Sequence, residues 1–361
     1  MTTYLLAGGG TAGHVNPLLA VADALRLRDP DAEILVLGTR EGLEARLVPE
    51  RGYHLLFVDK VPFPRRPNRE AVAFPAKFRR AIRQVRAHLD ERGVDVVVGF
   101  GGYASAPAYV AARRATVPVV VHEANARPGL ANILGARSAA ASGVAFEGTP
   151  LKGSRVVGMP LRREIVDLDR AALRDEAAQY FGLDASRPTL LVFGGSLGAA
   201  KLNAAFGDGH GEAWRDVVAA GWNLLHATGE RSELVDPEAP GYAMPRYIDR
   251  MDLAFALADL IVARAGAATV SEISALGIPA VYVPYAVGNG EQALNAGAAV
   301  RAGAAIIIPD AEFTGDRVRS EIVELLADEA RRSAMTDAAA SAGERHGTEN
   351  VVAMIDEALR R

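Results

Sequence analysis

Residues 3–25, TYLLAGGGTAGHVNPLLAVADAL, decide how this chain is read. An apolar, β-rich run enters a cluster of glycines, and a helical pattern follows. A buried strand, a glycine turn and a helix N-terminus open a doubly wound α/β unit. The same opening returns at residues 189–203, TLLVFGGSLGAAKLN. Outward from the first copy, EILVL (33–37), VDVVV (94–98) and VPVVV (117–121) read as further strands, with helices over 17–28 and 76–92. Outward from the second, WNLLH (222–226), DLIVA (259–263) and PAVYV (279–283) repeat the pattern, with helices over 198–206, 250–257 and 267–276. Near-continuous apolar strands separated by helices imply parallel sheets covered on both faces. The expected architecture is therefore α/β, with two Rossmann-like domains at 1–160 and 161–346. A last helix, about 347–361, is a candidate to pack back on the first domain. Ligands of such sheets lie beyond the carboxyl ends of the strands, so a cleft between the halves is the expected site.

Composition agrees. The chain has 361 residues, half of them hydrophobic and 23% charged, which is globular and excludes a disordered or fibrous chain. A net charge of −4 argues against nucleic acid as a partner. With no cysteine there is no disulfide scaffold, thiolate metal site or thiol nucleophile. The first residues, MTTYLLAGGG, lack a basic region and a long apolar run, so they do not read as a secretory signal. The long uncharged stretches 96–112 and 273–290 are broken by Gly and Pro and do not read as membrane helices.

Gly8-x-Gly10-x-x-Gly13 matches the dinucleotide fingerprint, but a dehydrogenase also needs an acid at the end of the second strand. That strand ends Leu37-Gly38-Thr39, and Glu33 opens it instead. What remains is a glycine loop before a helix N-terminus, which favours anions or hydroxyl-rich ligands; the plain alternative is a tight turn. His14 follows the loop and has two readings, a base for an attacking hydroxyl or a side chain that shapes the loop. Gly194-Gly195-Ser196 offers amides and a hydroxyl to a phosphate. A further helix N-terminus is expected at about Ala267, with Glu272 one turn in, where its carboxylate can accept from a ribose diol; a solvated surface Glu is the bland alternative. Asp29-Pro30-Asp31 and Asp167-Leu168-Asp169 resemble metal-type D-x-D by eye and read as solvated turns.

Eight motifs occur in order: GGGTAGHVNPLLAVADAL, GFGGYASAP, HEANARPGLAN, VVGMPLR, VFGGSLGA, YIDRM, RAGAATVSEISALGIPAVYVPY and GNGEQALNA. With them the chain resembles the MurG family of N-acetylglucosaminyltransferases from about residue 4 to 310. The resemblance implies a GT-B fold. It also implies inverting transfer of GlcNAc from UDP-GlcNAc to the C4 hydroxyl of MurNAc in lipid I, giving lipid II, with no metal or other cofactor. It places Thr11, Ala12 and Gly13 beside donor sugar and acceptor, and Asn125 and Gln292 on the GlcNAc. Arg162 and Ser196 match donor-binding positions, with Ser196 near the diphosphate, and Ile248 matches the residue whose backbone reads uracil. Ala267, Ala268, Thr269, Val270, Ser271 and Glu272 match the helix start at the diphosphate, with Glu272 on the ribose, and His14 and Tyr103 match acceptor-side residues. Departures are Ala12 and Ala106 for glycine, and Ala124 and Glu291 for glutamine.

The lipid tail of that acceptor implies the cytoplasmic face of the cell membrane, with cell-wall synthesis proteins as candidate partners. Residues 60–86 hold nine Lys/Arg against one acid, and also Phe63, Phe74 and Phe78. A basic face around apolar side chains suits an anionic phospholipid surface; the alternative is a solvated basic helix with its Phe residues in the core. Two other classes stay open: a UDP-sugar enzyme with a different acceptor, and a silent nucleotide binder.

Overall fold

The computed structural model describes every residue except 65–67, 196–198, 208–211 and 286–289. The chain divides into two compact units, Met1–Arg162 with Arg345–Arg361, and Arg163–Glu344.

The first unit has a sheet of seven strands: β1 Thr3–Ala7, β2 Glu33–Gly38, β3 His54–Phe57, β4 Val96–Gly99, β5 Val119–Glu123, β6 Ala141–Val144 and β7 Ser154–Val156. Their spatial order is β3-β2-β1-β4-β5-β6-β7, parallel throughout. Alternation along β1 shows why the strand reads as continuously apolar. Leu5 and Ala7 enter one core with the Arg69–Arg92 and Ser105–Ala115 helices. Tyr4 and Leu6 enter another with the Ala12–Arg28 helix. A strand buried on both faces has no polar positions to alternate with.

The Gly347–Leu359 helix belongs to this second core, through Val351, Met354, Ile355 and Ala358. Arg28 pairs with Asp356 at 2.7 Å, and Asn350 Nδ2 donates to Val157 O at 3.0 Å. At the start of that helix a Cβ on Gly347 would lie 2.2 Å from Met159 O, so only glycine admits the crossing.

The second unit repeats the plan with β8 Thr189–Phe193, β9 Asn223–Ala227, β10 Tyr242–Ala243, β11 Leu260–Ala263, β12 Ala280–Tyr282 and β13 Ala305–Ile307. The order β10-β9-β8-β11-β12-β13 is again parallel. Both sheets follow the dinucleotide-type order, with its switch point between β1 and β4 and between β8 and β11.

The strands and helices that the periodicity predicts stand within a few residues of where it puts them. The reading missed β3, β6, β7, β10 and β13, all short and mostly at sheet edges. It also began two helices late. Pro17 and Pro75 lie inside the Ala12–Arg28 and Arg69–Arg92 helices, and the second starts at an Asn68 cap that accepts from Ala71 N.

Candidate functional site

At the first switch point two glycine turns meet. One follows β1 (Gly8–Gly13) and the other follows β4 (Phe100–Gly102). Gly102 has φ +83, and a Cβ there would lie 2.4 Å from Gly9 O. His14, in the first turn of the Ala12–Arg28 helix, points back into this junction. Its Nδ1 lies 3.1 Å from Gly9 O and 3.3 Å from Thr11 Oγ1. A carbonyl only accepts, so Nδ1 carries the proton of the neutral ring and Nε2 carries the lone pair. Burial holds the imidazole below the ordinary histidine pKa, opposed by the charge of Glu123, the Gly9 carbonyl and the charge of Glu44. A neutral His with a free Nε2 can accept a proton at neutral pH.

Glu123, at the end of β5, is buried. It accepts from Asn125 N, Gly129 N and Asn132 Nδ2, each at 2.9 Å. Asn132 Oδ1 accepts from the buried Tyr109 hydroxyl at 2.7 Å. Three donors thus satisfy the oxygens of this carboxylate inside the unit. Asn125 thus sits on the Glu123 turn. Tyr103 stands 39% exposed on the β4 turn, with Lys60 Nζ 5.2 Å from its ring centre. Thr11 and Ala12 are exposed at the helix start, and Arg162 is half-buried at the end of the first unit's main segment.

In the second unit the chain leaves β11 through Arg264-Ala265-Gly266 and enters the Ala267–Ala275 helix. The helix cap, Gly266, makes no side-chain hydrogen bond to the first turn, and no acid stands in that turn. An uncapped first turn with a positive dipole end is an anion seat. Ala268, Thr269, Ser271 and Glu272 are half-buried there. Ala267 and Val270 turn their side chains into the core, and Val270 N donates to Gly266 O at 2.9 Å, so Val270 supports the turn from within.

Arg264 is buried, donates to Val283 O at 2.9 Å and pairs with Asp310. Asn295 Nδ2 donates to Ala265 O at 3.2 Å, and Gln292 Oε1 accepts from Tyr285 N at 2.8 Å. These bonds tie the ends of β11 and β12 to the Glu291–Asn295 helix. Buried Ile248 follows the segment whose Pro245 and Arg246 carbonyls accept from Thr228 and Gly229, beyond the end of β9. Ser196 falls outside the described residues.

Sequence reasoning missed Glu44, Glu123, Asn132, Arg264 and Asn295 as site residues. HEAN and RAGAATVSE contain Glu123 and Arg264; Glu44 carries no motif of its own. The D-x-D pairs have structural uses: Asp31 N donates to Asp29 Oδ1, Asp167 pairs with Arg163, and Asp169 caps a helix at Ala172 N. Among the described residues no cluster of three or more His, Asp or Glu could hold a metal ion.

The basic segment differs from expectation in one respect. Phe63, Phe74 and Phe78 cluster with centroids 5.4 to 6.1 Å apart, Phe74 and Phe78 stacked and Phe63 tilted against both, and Phe74 and Phe78 pack against the core. What the helix exposes is Val72, at 83%, with Lys77, Arg79, Arg80 and Arg83, and Arg80 pairs with Asp59 at 3.0 Å. Arg65 and Arg66 lie outside the described residues. No helix among the described residues is long and apolar enough to cross a membrane.

The models of the glycosyltransferase family 28 N-terminal and C-terminal domains match residues 4–144 and 189–351. A Clavibacter sepedonicus protein named UDP-N-acetylglucosamine–N-acetylmuramyl-(pentapeptide) pyrophosphoryl-undecaprenol N-acetylglucosamine transferase is 59% identical over 99% of this chain and 97% of its own. A Streptomyces coelicolor protein of the same name is 49% identical over 98% of each chain. The crystal structure of Acinetobacter baumannii MurG superposes with a TM-score of 0.77 at 26% identity, over 99% of this chain and 100% of that one. The fold is that of the GT-B glycosyltransferases. Matched in both halves by the family models and along its whole length by these relatives, the chain belongs to glycosyltransferase family 28, in its MurG branch.

Proposed function

We propose that this chain transfers GlcNAc from UDP-GlcNAc to the C4 hydroxyl of MurNAc in lipid I, with inversion, giving lipid II. The observation that carries the reading is full-length identity of 59% to a transferase named for that reaction. The two switch points suit it chemically, one with a neutral, oriented imidazole and the other with an anion seat.

In this reading the second unit binds the donor. Amides of Ala267, Ala268 and Thr269 take the diphosphate with Ser196, Glu272 accepts from the ribose diol, Ile248 reads uracil through its backbone, and Gln292 holds the GlcNAc. Arg162 adds a donor-side cation. The first unit binds the acceptor between the Thr11–Gly13 turn and Tyr103. The acceptor O4 attacks C1, its proton passes to His14 Nε2, and the C1–O bond breaks with its electron pair on UDP. Donors already aimed at the diphosphate stabilise the growing charge without reorganisation, at roughly 3 kcal/mol each. The peptide donors that surround Glu123 keep a negative charge near the imidazolium as it forms.

The substrate's lipid sets the location. We propose peripheral attachment to the cytoplasmic face of the membrane, through the basic face of the Arg69–Arg92 helix on anionic phospholipid, with the phenylalanines bracing that helix from below. The test of the reaction is UDP release from UDP-GlcNAc with a short-chain lipid I analogue. Acceptor-dependent release of UDP with a β-linked disaccharide product is expected. Tight UDP-GlcNAc binding without release would refute lipid I as the acceptor.

A further inference from the structure

The first glycine turn holds a carboxylate of its own. Glu44, first residue of the Glu44–Glu50 helix, is fully buried. Its Oε1 accepts from Thr39 N at 2.8 Å and from Thr39 Oγ1 at 2.9 Å, and its Oε2 accepts from Gly10 N at 2.7 Å. The chain is shaped around it: a Cβ on Gly9, Gly38 or Gly42 would lie 2.0 to 2.4 Å from an atom of this side chain. The glycine loop that the sequence offered to an anion is therefore already filled by a carboxylate of the chain itself.

One peptide unit connects this carboxylate to His14. The Gly10 N–H that donates to Glu44 and the Gly9 C=O that faces His14 Nδ1 belong to the same amide group. Gly10 has φ +92, a conformation that glycine adopts freely, and the clearance at Gly102 gives the Gly9 oxygen its room. We propose that Glu44 is a positioning residue for the transfer reaction, acting on His14 through the Gly9–Gly10 peptide. This rests on the reading of His14 as the base. A carboxylate on the N–H end of an amide increases electron density at its oxygen, and hydrogen bonds in such a chain strengthen one another. The Gly9 oxygen then holds the Nδ1 proton more firmly, fixes the tautomer that leaves Nε2 free, and stabilises the imidazolium when the acceptor proton arrives. The role is that of the buried aspartate in a Ser-His-Asp triad, with a peptide group between acid and imidazole. Two carboxylates bear on the ring, Glu44 from the helix after β2 and Glu123 from the end of β5, and both favour its protonated form.

The test compares Glu44→Gln with wild type for kcat against pH, using UDP-GlcNAc and the short-chain lipid I analogue. Removing the charge leaves the imidazolium less stabilised, so the acidic limb of kcat moves to lower pH. The plateau falls by roughly tenfold, a fraction of a full general-base effect, while KM for UDP-GlcNAc changes less than twofold. Glu50→Gln, on the same helix with an exposed side chain that pairs with Arg46, keeps wild-type kinetics. A lower plateau with an unmoved limb would mark Glu44 as scaffold only and overturn the proposal, as would wild-type kinetics in Glu44→Gln. Full turnover in His14→Ala would instead overturn the underlying reading of the base. If Glu44→Gln does not fold, nitrogen-15 NMR of the wild-type His14 ring decides. The neutral ring protonated at Nδ1 upholds the relay, and protonation at Nε2 overturns it.

Discussion

Gly102→Ala tests the junction of the two glycine turns. The substitution has two costs that the structure separates. The first is conformational: φ is +83, and an L-residue held in the left-handed region loses about 1–2 kcal/mol. The second is steric. The new Cβ would lie 2.4 Å from Gly9 O and 3.1 Å from Gly9 C and N, which are backbone atoms that cannot rotate aside. Forcing atoms into a packed site costs about 1–3 kcal/mol. Gly148→Ala provides the reference, because Gly148 has φ +79 and nothing within 4 Å of its would-be Cβ. It bears the first cost alone. The difference between the variants is therefore about 1–3 kcal/mol, or about 5- to 150-fold in an opening constant. Hydrogen exchange by mass spectrometry, read on peptides that contain β1 and β4, measures that ratio in the first unit. Both tryptophans, Trp214 and Trp222, lie in the second unit, so their fluorescence serves as an internal control that does not move. Equal protection in the two variants would refute the reasoning, because it would mean that the Gly9 carbonyl is not held where His14 needs it.

Deleting residues 347–361 removes Val351, Met354 and Ile355, each fully buried, at about 1.5–3 kcal/mol apiece, so first-unit peptides lose most of their exchange protection. His226 is buried between Asn203 and Tyr242, and burial lowers its pKa to about 3. The unfolded chain therefore binds the extra proton below about 6.5. Its contribution to second-unit stability is complete above that pH and falls by up to about 1.4 kcal/mol per unit on acidification towards 3. Urea unfolding followed by tryptophan fluorescence shows this slope, and His226→Gln flattens it. Neutralising Arg79, Arg80 and Arg83 together weakens binding to anionic vesicles by on the order of a hundredfold at about 1 kcal/mol each, with Arg80 contributing least because of Asp59. Unchanged vesicle binding would remove the membrane face from the account.

The parts of the molecule legible in sequence are those where one cause dominates. β1, β4, β8 and β11 are buried on both faces, so their apolar runs have no competing explanation. The edge strands β3, β7 and β10 run for only four, three and two residues, too short to show a period. The starts of the Ala12–Arg28 and Ala267–Ala275 helices were legible because glycine turns and helix starts leave marks along the chain. Glu44 was not. Its role depends on three glycines at positions 9, 38 and 42 closing around it, a coincidence of space rather than of spacing. Phe74 and Phe78 were ambiguous for the opposite reason: an aromatic in a basic helix has the same sequence signature whether it faces lipid or core, and both pack against the core.

The central claim is that His14 takes the acceptor's proton at the first switch point while the donor is held by the second unit. Single-turnover kinetics of His14→Ala, with UDP-GlcNAc affinity measured in parallel, test it most directly. The account predicts a loss of about 10²–10⁴ in the chemical step with donor affinity unchanged. A chemical step at the wild-type rate, or a loss that tracks weakened donor binding, would contradict it.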